Sequence, residues 1–212
     1  MIGTVCSLMA RLLSLKFWFG TFSYLIVAND TEDILRHFIP SSQMRFEFSY
    51  YGNELRKEKL LLRELRTRIP GAFRGAAWRV ARYGGLVVVA REVGTGEIAA
   101  CRELSTRTPG NIIRLGHDEL YLWTTYTTPE YRGMSLQAIT LQEGIQQLER
   151  MGVRKKTAVA LVALSNEASL RGLAKVGIRP CGWVVERRFF HVIHVVQGVY
   201  CNRDFARLEL AL

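Results

Sequence analysis

Residues 121–152 read YLWTTYTTPEYRGMSLQAITLQEGIQQLERMG, and this stretch decides the fold. It begins with aromatic and β-branched residues, which favour a strand, and Pro129 ends that strand. Apolar residues at helical spacing then predict a helix over residues 136–151. Gly152 stands where a glycine commonly ends a helix. The stretch therefore predicts a strand that passes through a short loop into a helix.

The start of this helix carries no negative charge. Residues 132–137 read Arg-Gly-Met-Ser-Leu-Gln, and the first acid inside the helix is Glu143. A helix start presents unpaired backbone N–H groups and a partial positive charge. Gly133 lets the backbone approach a ligand, Arg132 adds a full charge, and Ser135 adds a hydroxyl donor. This combination favours a phosphate or diphosphate, although a plain strand-to-helix turn with a solvent-facing arginine has the same sequence.

A second segment of the same kind follows along the chain. Residues 156–164 read KTAVALVAL, which predicts a buried strand, and Ser165-Asn166 then caps a short helix that Gly177 closes. Taken alone, Asn166 is typical of an ordinary helix cap. Because the two strands are neighbours in the predicted sheet, both helix starts can open on one side of it.

The remaining chain predicts further strands and helices around these two segments. The predicted elements are a strand over Thr21–Ala28, helices over 31–39 and 53–69, a hairpin of two buried strands around Gly94-Thr95-Gly96, and two closing strands between Cys181 and Tyr200. Antiparallel strands thus mix with helical crossovers, which is typical of an α/β sheet of mixed direction with helices on both faces.

Length and composition indicate one domain over residues 1–212. The chain has 212 residues and is 49% hydrophobic, which is enough for a full core. Residues 1–20 are predicted to form a helical extension, with 5–16 as an amphipathic helix. The uncharged run Phe17–Asn29 is too short for a helix that spans a bilayer. Contact of residues 5–28 with a membrane surface or a partner subunit, as in a homodimer, is the alternative to packing in the core.

The net charge of +10 favours anionic partners. The basic run at 53–68 is interleaved with glutamates, which indicates a solvated helix face, and no motif supports nucleic-acid binding. Four cysteines without a C-x-x-C pair indicate a reducing, cytoplasmic compartment. His191 and His194 point to opposite faces of a strand, so no metal site is predicted.

Two motifs are similar to those of a known family. TPEYRGMSLQAITLQ (128–142) and SNEASLRGLAKVGI (165–178) resemble the GNAT superfamily of acyl-CoA N-acyltransferases. The phosphate loop of that family reads Arg/Gln-x-x-Gly-x-Gly/Ala, and its next helix often begins Asn-x-x-Ser/Ala and ends Lys-x-Gly-Phe. The resemblance covers residues 85–190. It implies a GNAT-like α/β fold with a mixed, mostly antiparallel central sheet and helices on both faces.

The sequence departs from the family pattern at four positions. Ser135 and Gln137 stand at the two small positions of the phosphate loop, and Gln137 is not small. Leu173 stands where many members carry a general-acid tyrosine, so the leaving thiolate needs another proton donor. Ile178 replaces the usual phenylalanine.

The resemblance implies acetyl-CoA or another acyl-CoA as the cosubstrate, with no metal. Its diphosphate would rest on the helix start, its pantetheine arm would run beside the preceding strand, and the second helix start would touch that arm or the thiol. The residues so implied are Arg132, Gly133, Met134, Ser135, Leu136 and Gln137 for the diphosphate, Tyr126, Thr127 and Thr128 for the arm, and Asn166 and Ser169 on the second helix. A backbone N–H near Tyr126 or Thr127 would polarise the thioester carbonyl.

Glu119 is the candidate general base. An alkylamine is protonated near neutral pH and must lose a proton before it attacks. By strand alternation Glu119 faces the same side as Tyr121, Trp123 and Thr125, and some GNAT enzymes place a carboxylate near this position. His117 and Asp118 are substitutes, and a surface glutamate at a strand edge is the structural alternative. Trp123 and Tyr126 are predicted to line the acceptor pocket, and aromatic packing in the core is the alternative for both.

The function that follows is transfer of an acyl group, in particular acetyl, from acyl-CoA to a primary amine of a small molecule or peptide by direct attack. Two alternatives remain. The donor could be an acyl carrier protein or a long-chain acyl group, since an acidic carrier would suit the basic surface. A non-catalytic acyl-CoA-binding or regulatory module would account for Leu173.

Overall fold

A mixed sheet of eight strands runs through the computed structural model, which describes residues 19–37, 45–69, 73, 75–107, 113–189, 193–200 and 209–210. The strands are β1 (Phe19–Asp30), β2 (Phe46–Tyr51), β3 (Leu86–Glu92), β4 (Ile98–Ser105), β5 (Ile113–Arg114), β6 (Glu119–Thr127), β7 (Thr157–Ala163), β8 (Arg179–Phe189), β9 (Ile193–Tyr200) and β10 (Glu209–Leu210). The order across the large sheet is β2-β3-β4-β6-β7-β1-β8-β9, and β5 and β10 pair separately. Among the described strand pairs, β6–β7 is the one parallel pair. The predicted mixed, mostly antiparallel sheet is therefore confirmed.

Five α-helices in the described ranges connect the strands. They are α1 (Thr31–Arg36), α2 (Lys59–Arg68), α3 (Ala76–Tyr83), α4 (Leu136–Arg150) and α5 (Glu167–Ala174), and short 3₁₀ turns lie at Asn53–Lys57 and Pro129–Tyr131. Helices α1, α4 and α5 pack on one face of the sheet, which we call the α4 face. Helices α2 and α3 pack on the other, the α3 face.

The hydrophobic core lies on both sides of the central strands. In β3, Val88 and Ala90 pack against α4, whereas Val87 and Val89 pack against α2 and α3. Strands that are covered on both faces need apolar side chains at every position, and the apolar run from Leu86 to Ala90 supplies them. Each fully buried side chain of this kind contributes about 1.5–3 kcal/mol.

Helix α4 agrees with its predicted span. Ala138, Leu141, Ile145 and Leu148 are buried against the sheet, as the helical spacing predicted. Gly152 follows the helix with φ +80, a left-handed conformation that suits glycine.

The strand predicted over Thr21–Ala28 is confirmed as part of β1. It lies between β7 and β8, antiparallel to both. Sequence reasoning missed β2 and α3, although Phe46, Phe48 and Tyr50 alternate in β2. The helix predicted over 53–69 is instead a 3₁₀ turn followed by α2.

The predicted helix at residues 5–16 lies outside the described residues. In the described part, none of the helices is both long and apolar enough to cross a membrane. Cys101 and Cys181 are buried. No cluster of His, Cys, Asp or Glu within the described ranges is arranged to hold a metal ion.

Candidate functional site

Strands β6 and β7 lie side by side only at their first residues. Glu119 pairs with Thr157 and Tyr121 with Val159, and the two strands then separate. Beyond this point β6 stays paired with β4, and β7 stays paired with β1. Each strand therefore keeps its hydrogen bonds on its outer edge while the inner edges diverge. A wedge-shaped gap opens toward the carboxyl ends of both strands.

Strand β6 contains a β-bulge beside this gap. Its residues Trp123 and Thr124 lie opposite the single residue Glu103 of β4. A bulge shifts the alternation of side chains by one residue. The prediction that Thr125 shares a face with Glu119 is therefore wrong, because the bulge turns Thr125 onto the α4 face.

The backbone of β6 beyond the bulge presents N–H groups to the gap. Thr128 donates both its backbone N–H (2.9 Å) and its hydroxyl (3.1 Å) to the carbonyl of Ala99 in β4. Because successive N–H groups of a strand alternate in direction, the N–H of Thr127 points into the gap and that of Tyr126 points toward β4. Of the two amides suggested for the thioester carbonyl, the one on Thr127 faces the gap.

The start of α4 lies open next to the gap. Ser135 has φ +58, its side chain does not cap the helix, and the first turn holds no acid. No described group accepts a hydrogen bond from the backbone N–H groups of Ser135, Leu136 or Gln137. Gly133 has φ +86, and no heavy atom lies within 4 Å of the position a Cβ would take. The loop therefore exposes donors and leaves room for a ligand.

A cavity of about 640 Å³ joins this helix start to the start of α5. It confirms that the two helix starts open on the same side of the sheet. Every residue predicted to bind the donor lines it except Thr128 and Met134. Thr128 is buried behind β4, and Met134 packs on the core.

The two helix starts are not equivalent. Asn166 accepts a hydrogen bond from the N–H of Ser169 at 3.1 Å, so it is a helix cap. Glu167 lies in the first turn of α5 and pairs with Arg171 at 3.0 Å. The start of α5 is therefore compensated by its own cap and by an acidic residue, whereas the start of α4 has neither.

Gln137 explains how a large residue fits at a position where the family has a small one. Its amide nitrogen lies 3.2 Å from the Ser169 hydroxyl, so the side chain crosses to α5 instead of entering the loop. Its Oε1 lies 2.0 Å from the position a Cβ would take on Gly172. The glycine in α5 thus makes room for the glutamine in α4.

Lys175 was not singled out from the sequence. Its ammonium donates to the Ser135 hydroxyl at 2.9 Å, and it lines the same cavity as Arg132. The Lys-x-Gly ending of the second motif was the signal that could have found it. With Arg132 and Arg171 it gives the cavity three exposed cationic residues, of which Arg171 pairs with Glu167.

Leu173 lies in the core and is 3% exposed. Ile178 is buried beside it in the same cluster. The position of the expected general acid therefore presents a packed hydrocarbon side chain.

Glu119 is the first residue of β6, in the segment where β6 and β7 are still paired, and it is not among the residues that line the cavity. The side chain is 0% exposed, Oε2 accepts the N–H of Gly116 at 2.7 Å, and Oε1 has no hydrogen-bond partner among the residues that the structure describes. Burial raises the pKa of Glu119 to about 7, and the Gly116 N–H and the Lys155 charge oppose this shift. A carboxyl group with this pKa can exchange a proton near neutral pH.

The substitute bases suit the task less well. Asp118 is held by His117 at 3.1 Å and Lys156 at 3.3 Å. The hydrogen bond from His117, followed by that from Lys156, lowers the pKa of Asp118. The His117 side chain is fully exposed.

Trp123 lies on the α3 face, outside the cavity lining. Its ring packs edge-to-face on Tyr121 at 5.0 Å, and the Arg79 guanidinium stacks on it at 5.1 Å. Its indole N–H is buried and has no hydrogen-bond partner within the described ranges. Trp123 and Glu119 thus share the face opposite α4, and each has one buried polar atom without a partner in the described part of the chain.

No family model matches the sequence, and no curated protein compared with it matches. Solved structures are similar in fold at low identity. A tandem GNAT protein from the clavulanic acid biosynthesis pathway aligns with a TM-score of 0.58 and 14% identity over 87% of this chain and 55% of its own. A GNAT-family acetyltransferase from Colwellia psychrerythraea aligns with a TM-score of 0.53 and 13% identity over 81% and 57%.

A third structure is a GCN5-related glucosamine N-acetyltransferase region of a fungal multi-domain GH3 beta-N-acetylglucosaminidase. It aligns with a TM-score of 0.53 and 16% identity over 86% of this chain and 22% of its own. The chain thus spans little more than half the length of the first two, and less of the third. Together with the strand order and the gap beside α4, these similarities lead to one conclusion: the chain has the fold of the GNAT superfamily.

Proposed function

We propose that the protein is an N-acyltransferase that moves an acyl group, in particular acetyl, from acyl-CoA to a primary amine. The observation that carries this proposal is the gap between β6 and β7, which leads to the open start of α4. An acyl thioester with a diphosphate needs a narrow channel for its arm and a cluster of donors for its phosphates. The described residues provide both.

The donor would bind with its diphosphate at the start of α4. The free N–H groups of Ser135, Leu136 and Gln137 lie there, and a helix start favours anions. Arg132 and Lys175 add two positive charges at the cavity. The pantetheine arm would then follow the inner edge of β6, where the N–H of Thr127 is available to an amide or thioester carbonyl.

Glu119 would take the proton of the acceptor amine. The amine nitrogen forms a bond to the thioester carbon as the carbon–sulfur bond breaks, and the amine proton passes to the carboxylate. Because the side chain has no exposed surface, the proton would travel through a water molecule at Oε1. Leu173 has no proton to give, so the thiolate would take its proton from solvent.

Binding of the donor is tested by titrating the protein with acetyl-CoA in a calorimeter. We expect saturable binding, and Arg132→Glu should weaken it at least about tenfold, because it reverses a charge beside the diphosphate. Arg56→Glu makes the same change on an exposed arginine outside the cavity and should leave the affinity unchanged. Lack of binding to any acyl-CoA would refute the proposal.

A second candidate is a non-catalytic module that binds acyl-CoA. The burial of Leu173 favours it, because this position lacks a proton donor. Thiol release from acetyl-CoA with a panel of primary amines separates the two. The enzyme should release thiol, lose this activity in Glu119→Gln, and slow down as the pH falls below about 7, where Glu119 is protonated. Binding without thiol release for every amine would favour the module.

A further inference from the structure

The strongest feature outside the predicted residues is a buried arginine beneath the start of α4. Arg102 lies in β4 and is 1% exposed, and it is the largest of the fully buried side chains. Its Nη2 donates to the backbone carbonyl of Gln137 at 2.9 Å. The guanidinium therefore lies between the sheet and the first turn of α4.

No carboxylate in the described part of the chain compensates this charge. The hydrogen bond to Gln137 is its one partner among the described residues, and Nε is buried without any. Its neighbour Glu103 points to the opposite face, where it pairs with Arg79. Burial lowers the pKa of Arg102 to about 9, and the group stays protonated at neutral pH.

The position of this charge relates it to the cavity. In the sheet Arg102 lies directly opposite Thr125, and it donates to Gln137; both of these residues line the cavity. The start of α4 adds the positive end of the helix at the same place, and its first turn holds no acid. Two positive groups thus lie together in a region of low dielectric constant.

Such an arrangement is unfavourable in the free protein, because a buried charge without a counter-charge loses its hydration. An anion in the cavity would relieve it, and the interaction would be stronger than at the surface because less water screens it. The same arginine in a purely structural role would be expected to have a carboxylate beside it.

We infer that Arg102 is a positioning residue that stabilises the diphosphate of the bound donor from behind the cavity wall. This inference rests on the proposed function, since it assigns a role at the same site. Arg102 acts through the field it creates, and Arg132 and Lys175 act at the cavity surface.

The test compares Arg102→Met with the wild type in two measurements. Methionine has a similar length and carries no charge. In calorimetry the variant should bind acetyl-CoA and ADP at least about tenfold more weakly, and it should bind acetyl-pantetheine, which lacks the diphosphate, with unchanged affinity. In thermal unfolding without ligand, the midpoint should stay the same or rise, because a buried unpaired charge has been removed.

Two further variants serve as controls. Arg102→Lys keeps the charge and should recover part of the affinity for acetyl-CoA. Arg91→Met removes a partly buried arginine that pairs with Glu64 at 2.7 Å. It should lower the midpoint and leave the affinity unchanged.

The outcomes are distinct. If the wild type binds neither acetyl-CoA nor ADP, the proposed function itself fails. If the wild type binds and Arg102→Met binds equally well, only the inference about Arg102 is wrong. An equal loss of affinity for acetyl-pantetheine, or a lowered midpoint with unchanged affinity, would also overturn the inference, because either would mean that Arg102 acts on the fold or on the thioester and not on the diphosphate.

Discussion

The two faces of β4 differ in whether a buried charge has a partner of opposite charge. On the α3 face, Glu103 is 0% exposed and forms two hydrogen bonds to Arg79, at 2.7 and 2.8 Å. On the α4 face, the adjacent Arg102 is equally buried and has no carboxylate among the described residues. In a buried ion pair, each charge compensates the hydration that the other has lost. A single buried charge has no such compensation until a ligand of opposite charge binds nearby. The contrast indicates that the charge of Glu103 contributes to the stability of the fold and that the charge of Arg102 contributes to ligand binding.

The largest effect is expected from breaking the paired side. Arg79→Met should reduce the free energy of unfolding by about 3–5 kcal/mol, because Glu103 would stay buried without its partner. Chemical denaturation at pH 7 measures this loss. The loss should be smaller at pH 5, because burial already raises the pKa of Glu103 and the carboxyl group can then take up a proton.

The matched control for this variant is Arg36→Met. Arg36 pairs with Glu32 at 2.9 Å, and both side chains are exposed, so its removal should change the free energy of unfolding by less than about 1 kcal/mol. If the two variants lose the same amount, the Arg79–Glu103 pair is no more important than a surface pair, and the contrast between the two faces disappears.

A smaller effect is expected at Glu119, a buried carboxyl with one unsatisfied oxygen. Its folded pKa of about 7 lies above the ordinary 4.5. Stability from this group is therefore complete below pH 4.5 and is lost as the pH rises to about 7. Between pH 5 and pH 8 the wild type should lose about 2–3 kcal/mol more free energy of unfolding than Glu119→Gln does. Chemical denaturation of both proteins at the two pH values measures this difference. If the wild type and Glu119→Gln lose the same free energy of unfolding between pH 5 and pH 8, the pKa of Glu119 is not raised.

The smallest effect concerns the contact that holds Gln137 away from the loop. Gly172→Ala should gain about 1 kcal/mol of helix propensity, but the new methyl group displaces Gln137 and its hydrogen bond to Ser169. We expect no net change in the wild-type background and a gain of about 1 kcal/mol in Gln137→Ala. A double-mutant cycle by chemical denaturation measures this coupling, and additive values would mean that the two residues do not interact.

The sequence was informative where local patterns decide the structure. The apolar runs of β3 and β4 and the apolar stripe of α4 predicted these elements, because the side chains that an element buries must be apolar and recur with the period of that element. Helix α3 was missed, since Arg79 and Arg82 interrupt a short apolar pattern in it. The position of β1 between β7 and β8 could not be predicted, because pairing between distant strands leaves no periodic signal.

In the candidate site too, the features that a local motif forms were predicted, and those that depend on strand pairing or burial were not. The motif around Arg132 and Gly133 predicted the open helix start, because the residues that form it are adjacent in sequence. The face of Thr125 was wrongly predicted, because simple alternation does not anticipate a bulge. Arg102 and Glu103 are two charged residues in the otherwise apolar run of β4, and this exception was the signal that could have identified Arg102.

The place of β1 has a consequence for how the protein is made. Asp30 pairs with Thr157, and Tyr24 pairs with Val184, so β1 must wait until most of the chain has left the ribosome before its partners exist. Until then, β7 and β8 are missing and both edges of β1 are unpaired. Synthesis of this protein should therefore depend on chaperones that shield nascent chains, more than the modest size of the chain would suggest.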